Sequence, residues 1–71
     1  MTLDRAELHK SYIVDICADQ QLSEVGFLKG EQVRVIARAV FNGPIAVRIG
    51  TSTFAIRLDE ARQISIKPLT A

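Results

Sequence analysis

The sequence predicts an all-β fold: a small barrel of about five strands with one short helix inserted after the first. Three observations lead there. Apolar and polar residues alternate in several separate segments, β-branched residues crowd those segments, and short loops containing Gly or Asn-Gly-Pro divide them. With 71 residues, 48% of them hydrophobic, there is material for one modest core, so residues 1–71 are expected to form a single domain.

The elements are taken in chain order. Thr2 is placed to cap a short helical turn running through Leu3 to Leu8. Ser11 to Cys17 reads as the first strand, with Tyr12, Val14 and Ile16 on one face and Ile13, Asp15 and Cys17 on the other. Asp19 is a cap for a helix over Gln20 to Val25, and Gly26 suits the positive-φ position that ends it. Gly30 marks a second structural turn.

Glu31 to Phe41 fits two patterns. Val33, Ile36, Ala37 and Val40 make a helical stripe that Asn42-Gly43-Pro44 would stop. A strand instead sets Val33, Val35, Ala37 and Ala39 on one face and Arg34 and Arg38 on the other. Four β-branched residues in the eight from Val33 to Val40 favour the strand. Ile45 to Ile49 and Phe54 to Leu58 alternate clearly and predict a hairpin around Gly50-Thr51-Ser52-Thr53, pairing Ile49 with Phe54 and Val47 with Ile56. Leu58 to Arg62 suits one helical turn capped by Asp59, and Gln63 to Lys67 a last strand ended by Pro68. Closing these strands into a barrel would leave no exposed edge.

Three stretches together resemble the FeoA-like family. Leu22 to Val33 is similar to its "leucine, two residues, apolar-Gly-apolar, two residues, Gly" signature, with Gly26 and Gly30 as the glycines. Val40 to Arg48 resembles its Gly-polar-Pro hairpin, and Phe54 to Ala61 its closing "apolar-x-apolar-Arg … Glu-Ala" segment. The resemblance spans Leu8 to Ile66. It implies an SH3-like barrel, with Val33 to Ala39 as a strand. It also implies a cytosolic accessory of the bacterial ferrous-iron transporter, whose membrane subunit, FeoB, carries a GTPase domain. Two departures stand out: His9-Lys10 replaces a usual Pro-Gly turn, and the segment between Cys17 and Leu22 is short.

Several function classes are disfavoured by the residues themselves. Catalysis needs a nucleophile, a base and a charge-stabilising group placed together. One His and one Cys, His9 and Cys17, fall at opposite ends of a strand, and no Gly-rich phosphate cradle exists, so no enzyme is expected. Those residues and Asp15 lack the clustered spacing of a metal site, so neither metal nor cofactor is expected; Cys17 reads as a small buried hydrophobe. A net charge of +1 does not suit a nucleic-acid binder. Arg34 and Arg38 share a phase and Arg48 lies diagonal to Arg57, an arrangement read as a solvated outer face. Tyr12 alone offers no stacking platform.

A cytoplasmic protein that reaches the membrane only through its partner is expected. The first five residues lack a signal-peptide pattern, no apolar run approaches the ~18 residues of a span, and one cysteine suits a reducing compartment. The expected function is an adaptor that docks on the transporter's GTPase part. The alternatives are a regulatory barrel of a metal-dependent repressor and a small RNA-binding barrel. Phe41, Asn42, Gly43 and Pro44 are the main partner-binding candidates, with Phe41 either projecting or folding back as a lid. Leu22 and Val25 on the helix are secondary candidates, and self-association is a further expectation.

Overall fold

Ser11–Cys17, seven residues among which Tyr12, Ile13, Val14 and Ile16 favour extended backbone, form β1, which is preceded by a 3-10 turn at Leu3–Arg5. The computed structural model describes residues 1–69. After β1 come α1 (Gln20–Val25), β2 (Gln32–Arg38), β3 (Ile45–Ile49), β4 (Ser52–Ile56), α2 (Leu58–Ala61) and β5 (Ile64–Pro68). All strand pairs are antiparallel, in the spatial order β4-β3-β2-β1-β5. The strand pattern therefore prevails over the helical stripe in the ambiguous segment. A helix there would have left Val33 and Val35 without the sheet neighbours that bury both completely.

One core joins the elements. Tyr12 and Val14 of β1, Val33 and Val35 of β2, Ile45, Val47 and Ile49 of β3, Ile56 of β4 and Ile64 and Ile66 of β5 all point into it. Leu3, Ala6 and Ala61 close it on one side, and Leu22 and Phe27 join it from α1 and its stop. Among the described residues no backbone pair joins β4 to β5, so the ladder expected to close the barrel and remove its edges is open there, and these two strands share only the common core through Ile56, Ile64 and Ile66. The outer edge of β5 is covered by the chain start: the Met1 carbonyl accepts from Ile66 N–H at 2.7 Å, and Thr2 bridges Ser65.

Two bulges correct the expected faces. Register shifts between Val14 and Ile16 on β1, so Ile16, expected beside Tyr12 and Val14, turns out to solvent and is 59% exposed. Cys17 turns inward instead, packs partly against the core and donates from Sγ to the Asp19 carbonyl at 3.3 Å. A second shift lies between Val35 and Ala37 on β2. It leaves Ala37 exposed and sets Arg38 opposite Ile45, where its guanidinium donates to the Ala6 carbonyl at 2.5 Å. Arg34 and Arg38 thus do not share a face. One extra residue in a strand reverses every later side chain, and the local bend helps a short sheet curl.

The hairpin is tighter than expected. Its loop is Gly50-Thr51, so Ile49 meets Ser52, Val47 meets Phe54 and Ile45 meets Ile56. Gly50 has φ +60° and Thr51 does not share it, the pattern of a II′ turn, which matches the twist of the flanking strands. Shortening the loop by two residues moves the register by two, so the apolar face survives. Leu58 leaves the strand to begin α2, where Glu60 and not Asp59 caps: its Oε1 accepts from Arg57 N–H at 2.8 Å. At the chain start Thr2 makes no side-chain cap and the turn ends at Arg5; the Thr2 hydroxyl bonds the Asp4 carboxylate instead.

Both ends of α1 form as the residues suggest. Asp19 Oδ1 accepts from the N–H groups of Gln21 and Leu22 at 2.8 and 3.3 Å. At the other end Phe27 N–H bonds the Leu22 carbonyl and Gly26 N–H that of Ser23, a Schellman stop with Gly26 at φ +128°. No atom lies within 4 Å of a Cβ built at Gly26, so a side chain there meets open space and only the backbone resists. Gly26→Val is therefore expected to destabilise the protein by about 1–2 kcal/mol in urea unfolding, the cost of forcing a β-branched residue to positive φ.

The same physics acts in reverse at His9. Lys10 N–H bonds the Glu7 carbonyl at 3.3 Å across Leu8-His9, and His9 sits at φ +66°, where a type II turn favours glycine. His9 carries that strain. His9→Gly is expected to raise the unfolding midpoint, by about 0.5 kcal/mol of added stability after glycine's unfolded-state entropy is subtracted. Gly30, at φ +92°, holds the corresponding place in the turn from Leu28 to Glu31.

Candidate docking site

The loop between β2 and β3 is built by one unusual turn. Ala39 N–H bonds the Pro44 carbonyl at 3.1 Å, and inside that closure Gly43 N–H bonds the Val40 carbonyl at 3.2 Å. The two central residues, Phe41 and Asn42, have φ of +56° and +59°. Positive φ at both centres is the mark of a I′ turn, in which the first centre favours Asn, Asp or Gly. A bulky aromatic there is strained. Gly43 serves by absence of a side chain: a Cβ would stand 2.7 Å from that of Ala39.

This geometry projects Phe41 into solvent. It is 97% exposed and its neighbour Val40 76%, while Asn42 and Pro44 are also exposed and Gly43 is half-buried. The lid arrangement is therefore absent. Beside the loop runs an open groove in which Asn42, Gly43 and Pro44 face Arg57, Leu58 and Arg62 across the start of α2. No local pattern marks Arg57 and Arg62 as parts of this site. They come to it because β4 pairs with β3, a long-range event.

The helix candidates divide. Leu22 is a core residue, only 6% exposed, because the Schellman stop folds Phe27 back over it. Val25 is 49% exposed but lies on α1, no residue of which lines the groove. His9 precedes β1 and Cys17 ends it, and Tyr12 is buried with its hydroxyl accepting from Glu7 N–H at 3.0 Å. Among the described residues no three of His, Cys, Asp and Glu are grouped so as to hold a metal ion.

Comparison with known proteins decides the family. The FeoA domain model matches residues 1–68. The chain belongs to the FeoA domain family. A solved FeoA of Stenotrophomonas maltophilia, in complex with zinc, is 34% identical, with 94% of this chain and 89% of that chain covered and a TM-score of 0.84. That protein is described as a prokaryotic SH3 domain protein and a candidate activating factor of ferrous-iron transport. FeoA from Chlorobium tepidum is 23% identical over 99% of this chain and 71% of that one, with a TM-score of 0.88. The fold also recurs inside a manganese-dependent transcriptional repressor, at 23% identity and TM-score 0.84 over 97% of this chain and 41% of the repressor. Comparison with curated proteins returned no match. The FeoA assignment agrees with the SH3-like barrel and the ferrous-iron context implied by the sequence motifs. Among the described residues no helix of this FeoA chain is long and apolar enough to cross a membrane.

Proposed function

We propose that this FeoA-family chain is a non-catalytic, cytoplasmic adaptor of ferrous-iron uptake that docks on the cytosolic GTPase part of the membrane transporter. The observation that carries this reading is Phe41, a strained and 97% exposed aromatic next to a groove. An isolated aromatic at a loop tip has no folding role to justify its strain, whereas a buried aromatic anchor is a common source of interface affinity. A hydrogen-bonded turn also loses little freedom on docking.

Titrating the soluble GTPase domain of the same organism's transporter with this chain, with and without GTP, tests the proposal. Saturable one-to-one binding that depends on Phe41 supports it; no binding in either nucleotide state refutes it. A second reading, a regulatory barrel, draws on the presence of this fold in a manganese-dependent repressor. Association with the DNA-binding part of a metal-dependent repressor, and not with the GTPase, would favour it.

A further inference from the structure

Across the outer face of the sheet, backbone register sets Ser11 opposite Arg34, Arg34 opposite Arg48, and Arg48 opposite Thr53. Two arginines therefore face each other directly on neighbouring strands, and both are exposed. Like charges in that position oppose folding. The next row of this face, Ala37, Ala46 and Ala55, carries no charge to offset them. The ion pairs formed among the described residues use other groups, Arg62 with Asp4 and Lys67 with Asp15. Arg34 and Arg48 line a shallow groove that Glu31 also borders, but Glu31 forms no ion pair with either arginine.

The two guanidiniums are held in place. Arg34 Nη2 donates to Ser11 Oγ at 3.0 Å, and Gln32 Nε2 shares that acceptor at 3.2 Å. Arg48 Nε donates to the Gly50 carbonyl at 3.3 Å. Each arginine thus commits one donor to the protein and keeps the others, which suit bidentate pairing with carboxylates. We propose that Arg34 and Arg48 form a second contact surface, which receives an acidic segment of a protein partner, two of whose carboxylates neutralise the pair. Charge complementarity selects an acidic occupant. A peptide is favoured over RNA because Tyr12 is buried, leaving no stacking platform beside the arginines. This surface is separate from the docking loop, since Arg34 lies near the start of β2 and Phe41 beyond its end.

The test titrates isotope-labelled full chain with hexaglutamate and, separately, with hexauridylate, following backbone amide resonances. Expected are saturable shifts at Gln32 to Arg34 and Arg48 to Gly50 with hexaglutamate, and affinity at least tenfold weaker in Arg34→Gln/Arg48→Thr. Absent or unsaturable shifts, or equal affinity in the variant, would overturn the proposal. So would equal or tighter binding of hexauridylate at the same amides, which would assign the pair to nucleic acid. Arg48→Thr alone is expected to raise the melting temperature by about 1–5 °C at low ionic strength, with less gain in high salt. A lower melting temperature would mean that the pair supports the fold, and would count against a binding role.

Discussion

Phe41→Gly is expected to weaken the proposed binding to the transporter's GTPase domain at least tenfold while making the free protein more stable. The two effects have separate origins. Phe41 at φ +56° carries a left-handed backbone that costs an ordinary residue about 1–2 kcal/mol, and glycine adopts it freely. Glycine's greater unfolded-state freedom returns part of that gain, leaving about 0.5–1 kcal/mol of added stability. The ring itself contributes almost nothing to the fold, being 97% exposed. On docking, an aromatic anchor of this kind supplies about 2 kcal/mol, which exceeds one decade of affinity. Phe41→Ala separates the causes: it keeps the strained backbone, so stability should stay within about 0.5 kcal/mol while binding falls equally. Thermal melting and calorimetric titration of both variants check this. Undiminished binding in the two variants would remove the loop from the interface.

The second large effect is expected in the core. Phe27→Ala should destabilise the protein by about 3–4 kcal/mol, the usual range for deleting a fully buried aromatic. Phe27 is 0% exposed, and its ring lies 6.0 Å from that of Phe54 in a tilted pair. It also comes directly after Gly26 in the stop of α1, so its loss loosens the cover over Leu22. A domain of this size has only about 4–10 kcal/mol of stability in all. The variant should therefore melt at least ~12 °C lower, and α1 should lose amide protection first. A loss below ~1 kcal/mol would mean that neighbouring side chains collapse into the space. Because the Phe41 loop emerges from the far end of β2, binding measured at low temperature on the folded fraction should persist.

Much of the fold is visible in local patterns. Asp19, Gly26 and the apolar residues between them specify α1, since a cap and a stop act within a few residues of themselves. Alternation over Ile45 to Ile49 and around Phe54 and Ile56 places two strands and their inner face. A hairpin loop two residues shorter than the pattern suggests leaves that face intact, because strands repeat every two residues. The motif spacing likewise carries the family, which the match over residues 1–68 shows.

What the chain could not announce is where a neighbour's backbone interrupts a pattern. The bulges near Asp15 and Ile36 exist because β1 and β2 must bend around a shared core, and each reverses the side chains beyond it: Ile16 leaves the interior, Cys17 enters it, and Arg38 parts from Arg34. Register across β2 and β3 sets Arg34 against Arg48, and pairing of β3 with β4 brings Arg57 to the loop at Phe41. The sequence settled the type of each element, because hydrophobic period, capping and backbone preference are short-range. Which side chains meet was left to the folded sheet, because register and bulges minimise the energy of the whole core, and no single segment contains that sum.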